Sequence, residues 1–305
     1  MLIYNPTAGK GAAAERIPLT ESLLTARGID YDLRVTQATG HAAQLASEAG
    51  RSGYDVVIAA GGDGTVNEVV NGLMLAGDAS PTLAVLSIGR GNDFSYGADL
   101  PGSLEPCVDV LAAGHSRAMD VGRVTGGDYP QGRYFANGIG VGFDTIVGLE
   151  AAKLKRVHGF MAYVIGALRT FIMYPDAPEI RFEHDGGVIN KASHEISIMN
   201  GKRMGGTFFM APRSANNDGL FDFFMSDRLT RRDMISLMLR LTKGTQAGHP
   251  KIETGRSSRL VISAPLGGLV VHADGETICT DGKALLVECL SSRLRIICRT
   301  EGATA

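Results

Sequence analysis

Apolar and polar positions follow two different patterns along this chain. In the first part, short apolar runs at Leu2 to Tyr4, Tyr31 to Val35, Asp55 to Ala60 and Thr82 to Ser87 alternate with helical stretches at about Ala12 to Arg27, Gly40 to Ala49 and Thr65 to Leu75. Strands alternating with helices predict parallel βαβ units and a sheet covered on both faces. From about Asp120 the pattern changes to short β runs separated by turns: Tyr134 to Asn137, Glu179 to His184, Glu195 to Asn200, Leu220 to Met225, Arg259 to Ser263, Leu269 to His272 and Ala284 to Cys289. These predict a second, mostly antiparallel β domain with helical inserts at Ala151 to Met173 and Thr230 to Lys243. In the later insert Met234, Leu237, Met238 and Leu241 fall at i, i+3, i+4 and i+7, an apolar stripe suited to core packing. The fold class expected is α/β plus β. The expected division is 1–120, 121–290 and a segment 291–305 packing back on the first domain.

Two loops at the carboxyl ends of the first domain's strands carry the candidate chemistry, since ligands of parallel sheets sit there. In Asp55-Val-Val-Ile-Ala-Ala-Gly-Gly-Asp-Gly-Thr-Val-Asn-Glu68 an apolar strand runs into a glycine hinge and then a helix. Gly61, Gly62 and Gly64 lack a Cβ and can take positive φ, so backbone can approach a nucleotide. Thr65 is placed to cap the helix, whose free N–H groups attract anions. Asp63 stands where it could orient Mg²⁺ or a phosphoryl group. A plain β-turn explains the same four residues. The second loop, Gly89-Arg-Gly-Asn-Asp-Phe94, should lie beside the first.

Composition narrows the function classes. With 305 residues, 44% hydrophobic, 20% charged and a net charge of −2, the chain reads as an ordinary globular protein with room for two cores. The balanced charge and lack of a Lys/Arg run argue against nucleic acid as a partner. Cys107, Cys279, Cys289 and Cys298 are too widely spaced for a zinc site and suggest reduced thiols. The opening Met1-Leu-Ile-Tyr-Asn-Pro6 has no secretory-signal features, so a cytoplasmic protein is expected. The apolar stretch Phe160 to Tyr174 contains Arg169 and is shorter than the roughly 20 residues a membrane span needs, so membrane contact should be peripheral.

Ten short pieces in order then carry a resemblance. They are Asn5-Pro-Thr-Ala-Gly-Lys10, Thr36 with Gly40-His-Ala42, Gly61-Gly-Asp-Gly-Thr-Val-Asn-Glu68, Gly91-Asn-Asp-Phe94, Asp120-Val-Gly122, Phe135-Ala-Asn137, Gly205-Gly206, Ala211-Pro212, Asp218-Gly-Leu220 and Asp274-Gly-Glu276. Together they resemble the diacylglycerol kinase catalytic-domain family, the soluble bacterial lipid kinases related to sphingosine and ceramide kinases. The resemblance implies ATP and Mg²⁺ as cofactors, a lipid alcohol as acceptor, and docking on a membrane surface during turnover; a homodimer is left open. It assigns nucleotide contact to Asn5, Pro6, Gly9, Lys10, Thr36, Gly61, Gly62, Asp63, Gly64, Thr65, Asn67, Glu68, Arg90, Gly91, Asn92 and Asp120. It assigns a structural Mg²⁺ to Asp218 with the carbonyls of Ala215 and Leu220. The base that takes the acceptor's proton is implied to be Glu276 or Asp274, with Asp63 competing for that role.

Simpler readings stand beside several of these. Where the family usually has Gly-Thr, this chain has Gly89-Arg90; the arginine is either a phosphate ligand or a solvated side chain. Asp120 could be a turn cap, Asp218 part of an ion-free Asn-Asp-Gly turn, and Asp274-Gly-Glu276 an ordinary hairpin. Lys153, Lys155 and Arg156 form a basic cluster, read first as a solvated face and second as a contact for phosphate or anionic lipid. His272 reads as a packed strand residue. A Walker A loop is absent, which disfavours a P-loop ATPase. A kinase for a soluble acceptor, as in NAD kinase or phosphofructokinase, and a non-catalytic nucleotide-binding protein are the alternatives.

Overall fold

The computed structural model describes residues 1–77, 80–154 and 160–300. In chain order these form β1 (Leu2–Tyr4), α1 (Ile17–Ala26), β2 (Leu33–Val35), α2 (His41–Arg51), β3 (Val56–Gly61), α3 (Asp63–Ala76), β4 (Thr82–Ser87), α4 (Asp93–Gly97) and α5 (Leu104–Ala113). There follow β5 (Ser116–Gly126), β6 (Tyr129–Phe135), β7 (Gly138–Gly142), α6 (Phe143–Ala152), α7 (Phe160–Met173), β8 (Glu179–His184), β9 (Gly187–Ala192), β10 (Glu195–Met199) and β11 (Phe221–Ser226). The chain continues through α8 (Arg231–Leu241), β12 (Ile252–Ser257), β13 (Arg259–Ser263), β14 (Leu269–Ala273), β15 (Glu276–Gly282) and β16 (Ala284–Ile297).

The first part is the expected parallel sheet, ordered β2-β1-β3-β4. Buried Val, Ile, Leu and Ala on both faces of β3 and β4 pack against helices on each side, as parallel strands require. The helix expected from Ala12 begins only at Ile17. Short 3₁₀ turns precede it, and a proline at its start, where a missing N–H costs nothing, sets the true first turn.

The second part is antiparallel, as expected, but it is not confined to its own sheet. The order β12-β11-β10-β7-β14-β15 makes one six-stranded sheet. The remaining strands extend the parallel sheet to ten: β16 pairs with β4 through Ile296 and Leu83, with β5 over most of its length, and with β13, beyond which lie β8 and β9. Phe135, Phe182, Phe221, Leu260 and Val287 fill the space between the two sheets. The strand expected to stop at Cys289 therefore runs on to Ile297, across a register shift between Leu290 and Leu294 where Ser292 takes φ +54°.

The single insert expected over Ala151 to Met173 is two helices, α6 and α7, and α6 starts eight residues earlier than expected, at Phe143. Met234, Leu237 and Leu241 of α8 are buried with Met199, Phe224 and Met210 against the outer face of the six-stranded sheet, so that stripe is core. A capping box between Thr230 and Asp233 opens this helix.

Candidate active site

The glycine loop works by close packing and not by left-handed backbone. None of Gly61, Gly62 and Gly64 has positive φ, which corrects the conformational expectation. Instead a Cβ at Gly61 would stand 2.4 Å from Thr65 Oγ1, and a Cβ at Gly89 would stand 2.5 Å from Gly62 Cα. The two glycine loops lie directly on one another, tied by the Ile88 and Gly89 N–H groups donating to Gly61 O. Thr65 is not the helix cap. The cap position is Gly62, α3 starts at Asp63, and the buried Thr65 hydroxyl accepts a 2.9 Å hydrogen bond from Asn5 Nδ2. The first N–H groups of α3 thus open toward the loops with no side chain capping them, the arrangement that receives anions.

Left-handed backbone occurs one loop earlier, at Gly9 (φ +62°), Lys10 (φ +68°) and Gly11 (φ +89°) beyond Asn5 and Pro6. The turn closes on itself, with Gly11 N–H donating to Thr7 O and the Ala12 and Ala13 N–H groups to Ala8 O. Arg90 is exposed and its guanidinium reaches Gly9 O at 3.5 Å, spanning the gap between this turn and the second glycine loop. Thr36 follows β2, where its N–H donates to Tyr4 O. Glu68 serves the scaffold, because its oxygens accept from Gly40 N (2.8 Å) and Ala42 N (3.1 Å) and so cap α2.

Asp63 and Asp93 form the acidic centre. Asp63 Oδ1 accepts from Phe94 N at 3.0 Å, and a Cβ at Gly91 would come within 2.9 Å of Asp63 Oδ2, so the second loop is moulded on this carboxylate. Burial raises its pKa; the Phe94 N–H opposes the rise and the Asp274 charge adds to it. Asn92 holds φ +52°, letting the loop turn back over Asp63. Asp93 is bound by Arg203 Nε at 2.9 Å and by Gly206 N at 3.0 Å. Burial, reinforced by Asp63, lifts its carboxyl to about 6. Asp93 falls inside the Gly91-Asn-Asp-Phe94 motif, yet the motif gave it no role of its own; its partner Arg203 lies 110 residues away, a pairing no local pattern reveals.

Across the cleft, Asp274 sits at φ +49° in the β14–β15 turn. Its two oxygens accept from Asn67 Nδ2 (2.9 Å), Ala136 N (2.8 Å), Asn137 N (3.0 Å) and Gly138 N (2.8 Å). Asn67, buried in α3 directly after the glycine hinge, thereby bonds a residue 207 positions later, and the glycine loop and the Asp274 turn become one site. With four donors already on it, Asp274 is an anchor. Glu276, two residues on at the start of β15, is only partly buried.

This geometry has close counterparts. Residues 1–124 match the model of the diacylglycerol kinase catalytic domain, and residues 137–298 match that of the YegS C-terminal NAD kinase beta sandwich-like domain. A diacylglycerol kinase of Staphylococcus aureus (strain bovine RF122 / ET3-1) is 32% identical over 278 residues, 90% of this chain and 85% of that one. The chain belongs to the diacylglycerol kinase family. It is a lipid kinase, and solved structures agree in fold. A diacylglycerol kinase of Bacillus anthracis str. Sterne superposes with TM-score 0.72 at 21% identity over 98% of this chain and 96% of that one. An NAD kinase of Archaeoglobus fulgidus in complex with ATP gives 0.53 at 14% identity, over 98% and 93%.

Two further groups of residues complete the kinase's site region. Asp120, fully buried, accepts from Gly219 N and Ser292 N, both at 2.7 Å, and so ties the 212–220 loop to the bend in β16. In that loop Asp218 pairs with Arg256 and accepts from Leu220 N, while Ala215 lies three residues before it. Behind them Asp222, whose pKa burial raises, has a buried Oδ2 without a partner. Arg256, which pairs with Asp218, also comes within 3.7 Å of Asp222 Oδ1, so a cation already faces both carboxylates, and the unpartnered Oδ2 is a single hard oxygen of the kind Mg²⁺ takes. If an ion binds there, Mg²⁺ is expected to raise the melting temperature of the parent protein, and Asp218→Ala to remove that response; a thermal melt with and without Mg²⁺ checks both.

On the side of the Asp274 turn His272 is not the plain packing residue its strand position suggests, since its Nε2 lies 3.1 Å from Asp144 Oδ2 at the start of α6. Burial would lower its pKa, but Asp144 and, more weakly, Asp274 outweigh that and raise it. Behind the pair, Glu195 bonds Asp144 N while its Oε1 is buried without a partner; burial, then the Asp144 charge, raises its pKa well above the usual carboxylate range. The signal in the sequence is the spacing Gly138, Gly140, Gly142, glycine at every second position of a strand, which bares one face for close approach. A Cβ at Gly140 would fall 1.9 Å from Asp144 Oδ2. Of the cluster Lys153, Lys155 and Arg156, the last two lie outside the described residues, and Lys153 pairs with Glu150.

The acidic centre predicts a pH dependence. A carboxyl with a raised pKa takes up its proton at higher pH than usual, so Asp93 loses its charge as pH falls through about 6 and not near 4, and Asp63 is shifted in the same direction. The rate is expected to fall on the acid side with a midpoint near 6, measured as kcat against pH with the acceptor saturating.

Proposed function

We propose that this kinase transfers the γ-phosphoryl group of ATP to the hydroxyl of a lipid alcohol, with diacylglycerol the leading acceptor and phosphatidate the product. The observation that carries the reading is the Asn67–Asp274 hydrogen bond, which sets the nucleotide-side hinge and the Asp274-Gly-Glu276 turn in one cleft. In this reading the phosphates rest on the loops of Asn5 to Gly11, Gly61 to Thr65 and Gly89 to Asn92. Asp63 faces the transferring group. As the acceptor oxygen bonds phosphorus and the bond to the ADP oxygen breaks, Glu276 takes the hydroxyl proton; a loose transition state asks little more of a base. Asp274 holds the turn that presents Glu276. Asp63 would be the carboxylate to hold a Mg²⁺ ion, which when bound neutralises phosphate charge, while Asp93 stays paired with Arg203.

The fold shared with NAD kinase supports one other acceptor, a soluble dinucleotide. Incubation with labelled ATP, Mg²⁺ and a panel of diacylglycerol, monoacylglycerol, sphingoid and phosphatidylglycerol vesicles, with NAD in parallel, separates the readings. Labelled phosphatidate is the expected product. Labelled NADP with no labelled lipid would overturn the lipid acceptor.

A further inference from the structure

The amphipathic order of α7 is inverted. Its inward face is small: Ala162, Gly166 and Thr170 are buried against α6, so closely that a Cβ at Gly166 would stand 2.6 Å from Val147 O. Its outward face carries Met161 (57% exposed), Val164 (42%), Leu168 (58%) and Ile172 (66%), at spacings of three and four that keep them on one stripe. A globular helix ordinarily shows the reverse. The C-terminal end of α7 meets the start of α8, where Arg231 donates to Phe171 O and Ile172 O and stacks on Tyr174. On α8 the stripe that faces the core leaves Ile235 (49% exposed) and Leu239 (60%) pointing outward.

Charge decides what covers this face. Arg232 on α8 and Arg228 and Lys243, which flank that helix in the chain, are exposed, while Arg169, next to Leu168 in the chain, lies 3.9 Å from Glu150. Helix α7 contains no acidic residue. The one acid of α8, Asp233, is taken by Thr230 and Lys251, and Glu150 is taken by Lys153. An apolar stripe about which cations outnumber acids, the exposed Asp176 past the end of α7 among the latter, fits an anionic bilayer, with side chains entering the acyl boundary and arginines meeting headgroups. A second copy of the same face would bring like charges together.

We infer that the outward faces of α7 and α8 form the surface on which this kinase docks to anionic lipid bilayers. The site of this docking rests on geometry alone, but its use rests on the lipid-acceptor reading above. Helix α6 joins the two regions: its start holds Asp144 against His272 and its Ala151 packs on Gly166 of α7, so the docked face lies about one helix layer, roughly 10 Å, from the acceptor side of the cleft.

The test is sedimentation with phosphatidylcholine vesicles, with and without phosphatidylglycerol, in the absence of ATP. The parent protein is expected to partition at least about tenfold better onto the anionic vesicles, with the difference shrinking in salt. Leu168→Glu with Ile172→Glu should lower that partition at least about tenfold, and Arg232→Glu should reduce the preference for phosphatidylglycerol. The double variant should still phosphorylate a short-chain, monomeric diacylglycerol at the parent rate while losing activity on long-chain acceptor in vesicles. Unchanged vesicle partition in the double variant overturns the inference. So does sedimentation of the parent as a dimer that the double variant dissociates with vesicle binding unaltered. Binding that responds to the variants without phosphorylation of any lipid upholds the docking face and refutes the acceptor.

Discussion

Asp63→Asn is expected to lower kcat by about 10³ and, in the same protein, to raise the melting temperature by about 2 °C. The two effects have one origin. Burial raises the pKa of Asp63, which means that the fold holds its charged form less comfortably than water does. At neutral pH a neutral isostere relieves that cost, and its carbonyl keeps the hydrogen bond from Phe94 N. The sign follows from the direction of the shift: a raised carboxyl pKa destabilises the folded state above that pKa, so removing the charge stabilises it there. In the proposed mechanism, however, the missing charge is the one that faces the transferring phosphoryl group. Steady-state kinetics and a calorimetric scan of the same preparation test both halves. A kcat within a few-fold of the parent would remove Asp63 from the chemistry, and a lower melting temperature would show that its charge supports the loop.

The second large effect separates Asp274 from Glu276. In Asp274→Asn one acceptor oxygen becomes an amide NH₂ facing donors, either Asn67 Nδ2 with Ala136 N or Asn137 N with Gly138 N. Backbone geometry is not the issue, since asparagine tolerates the φ of +49° found there. The loss is two partly buried hydrogen bonds to a charged group, expected to cost about 3 kcal/mol of stability and to reduce turnover by loosening the turn. Glu276→Gln should behave oppositely, with the melting point of the parent and phosphoryl transfer lowered at least about 100-fold, while ATP affinity stays within about tenfold. Urea unfolding of the two variants, with single-turnover transfer, checks the contrast. If Glu276→Gln transfers phosphate at the parent rate while Asp63→Asn does not, the base is Asp63.

What could be read from sequence divides along physical lines. The strands β1, β3 and β4 and the helices between them were legible because parallel strands buried on both faces are continuous apolar runs with glycine punctuation. The glycine loop was legible as a hinge between a strand and a helix, but the reason for its glycines was not, because crowding by Thr65 and Gly89 is a property of packing. The strand β7 was hidden because Gly-Ile-Gly-Val-Gly imitates a turn, and with it went the start of α6 and the Asp144–His272 pair. Strand β5, with Arg117, Asp120, Gly122 and Arg123 along it, owes its existence to pairing with β16 and not to any apolar alternation. Asp93–Arg203 and Asn67–Asp274 were out of reach for a related reason: each joins residues more than a hundred positions apart.

The path of β16 bears on how this protein must be made. Its Ile296 pairs with Leu83 of β4, so the parallel sheet that carries the two glycine loops gains its neighbouring strand only when residues near 297 have been synthesised. Until then the edge of β4 is bare, a strand edge open to wrong partners on a chain still attached to the ribosome. The amino-terminal half is therefore a poor candidate for autonomous folding, however self-contained its βαβ grammar looks. Cutting the chain between the two matched regions, a natural choice for separate expression, would leave that half with an uncovered edge prone to aggregation.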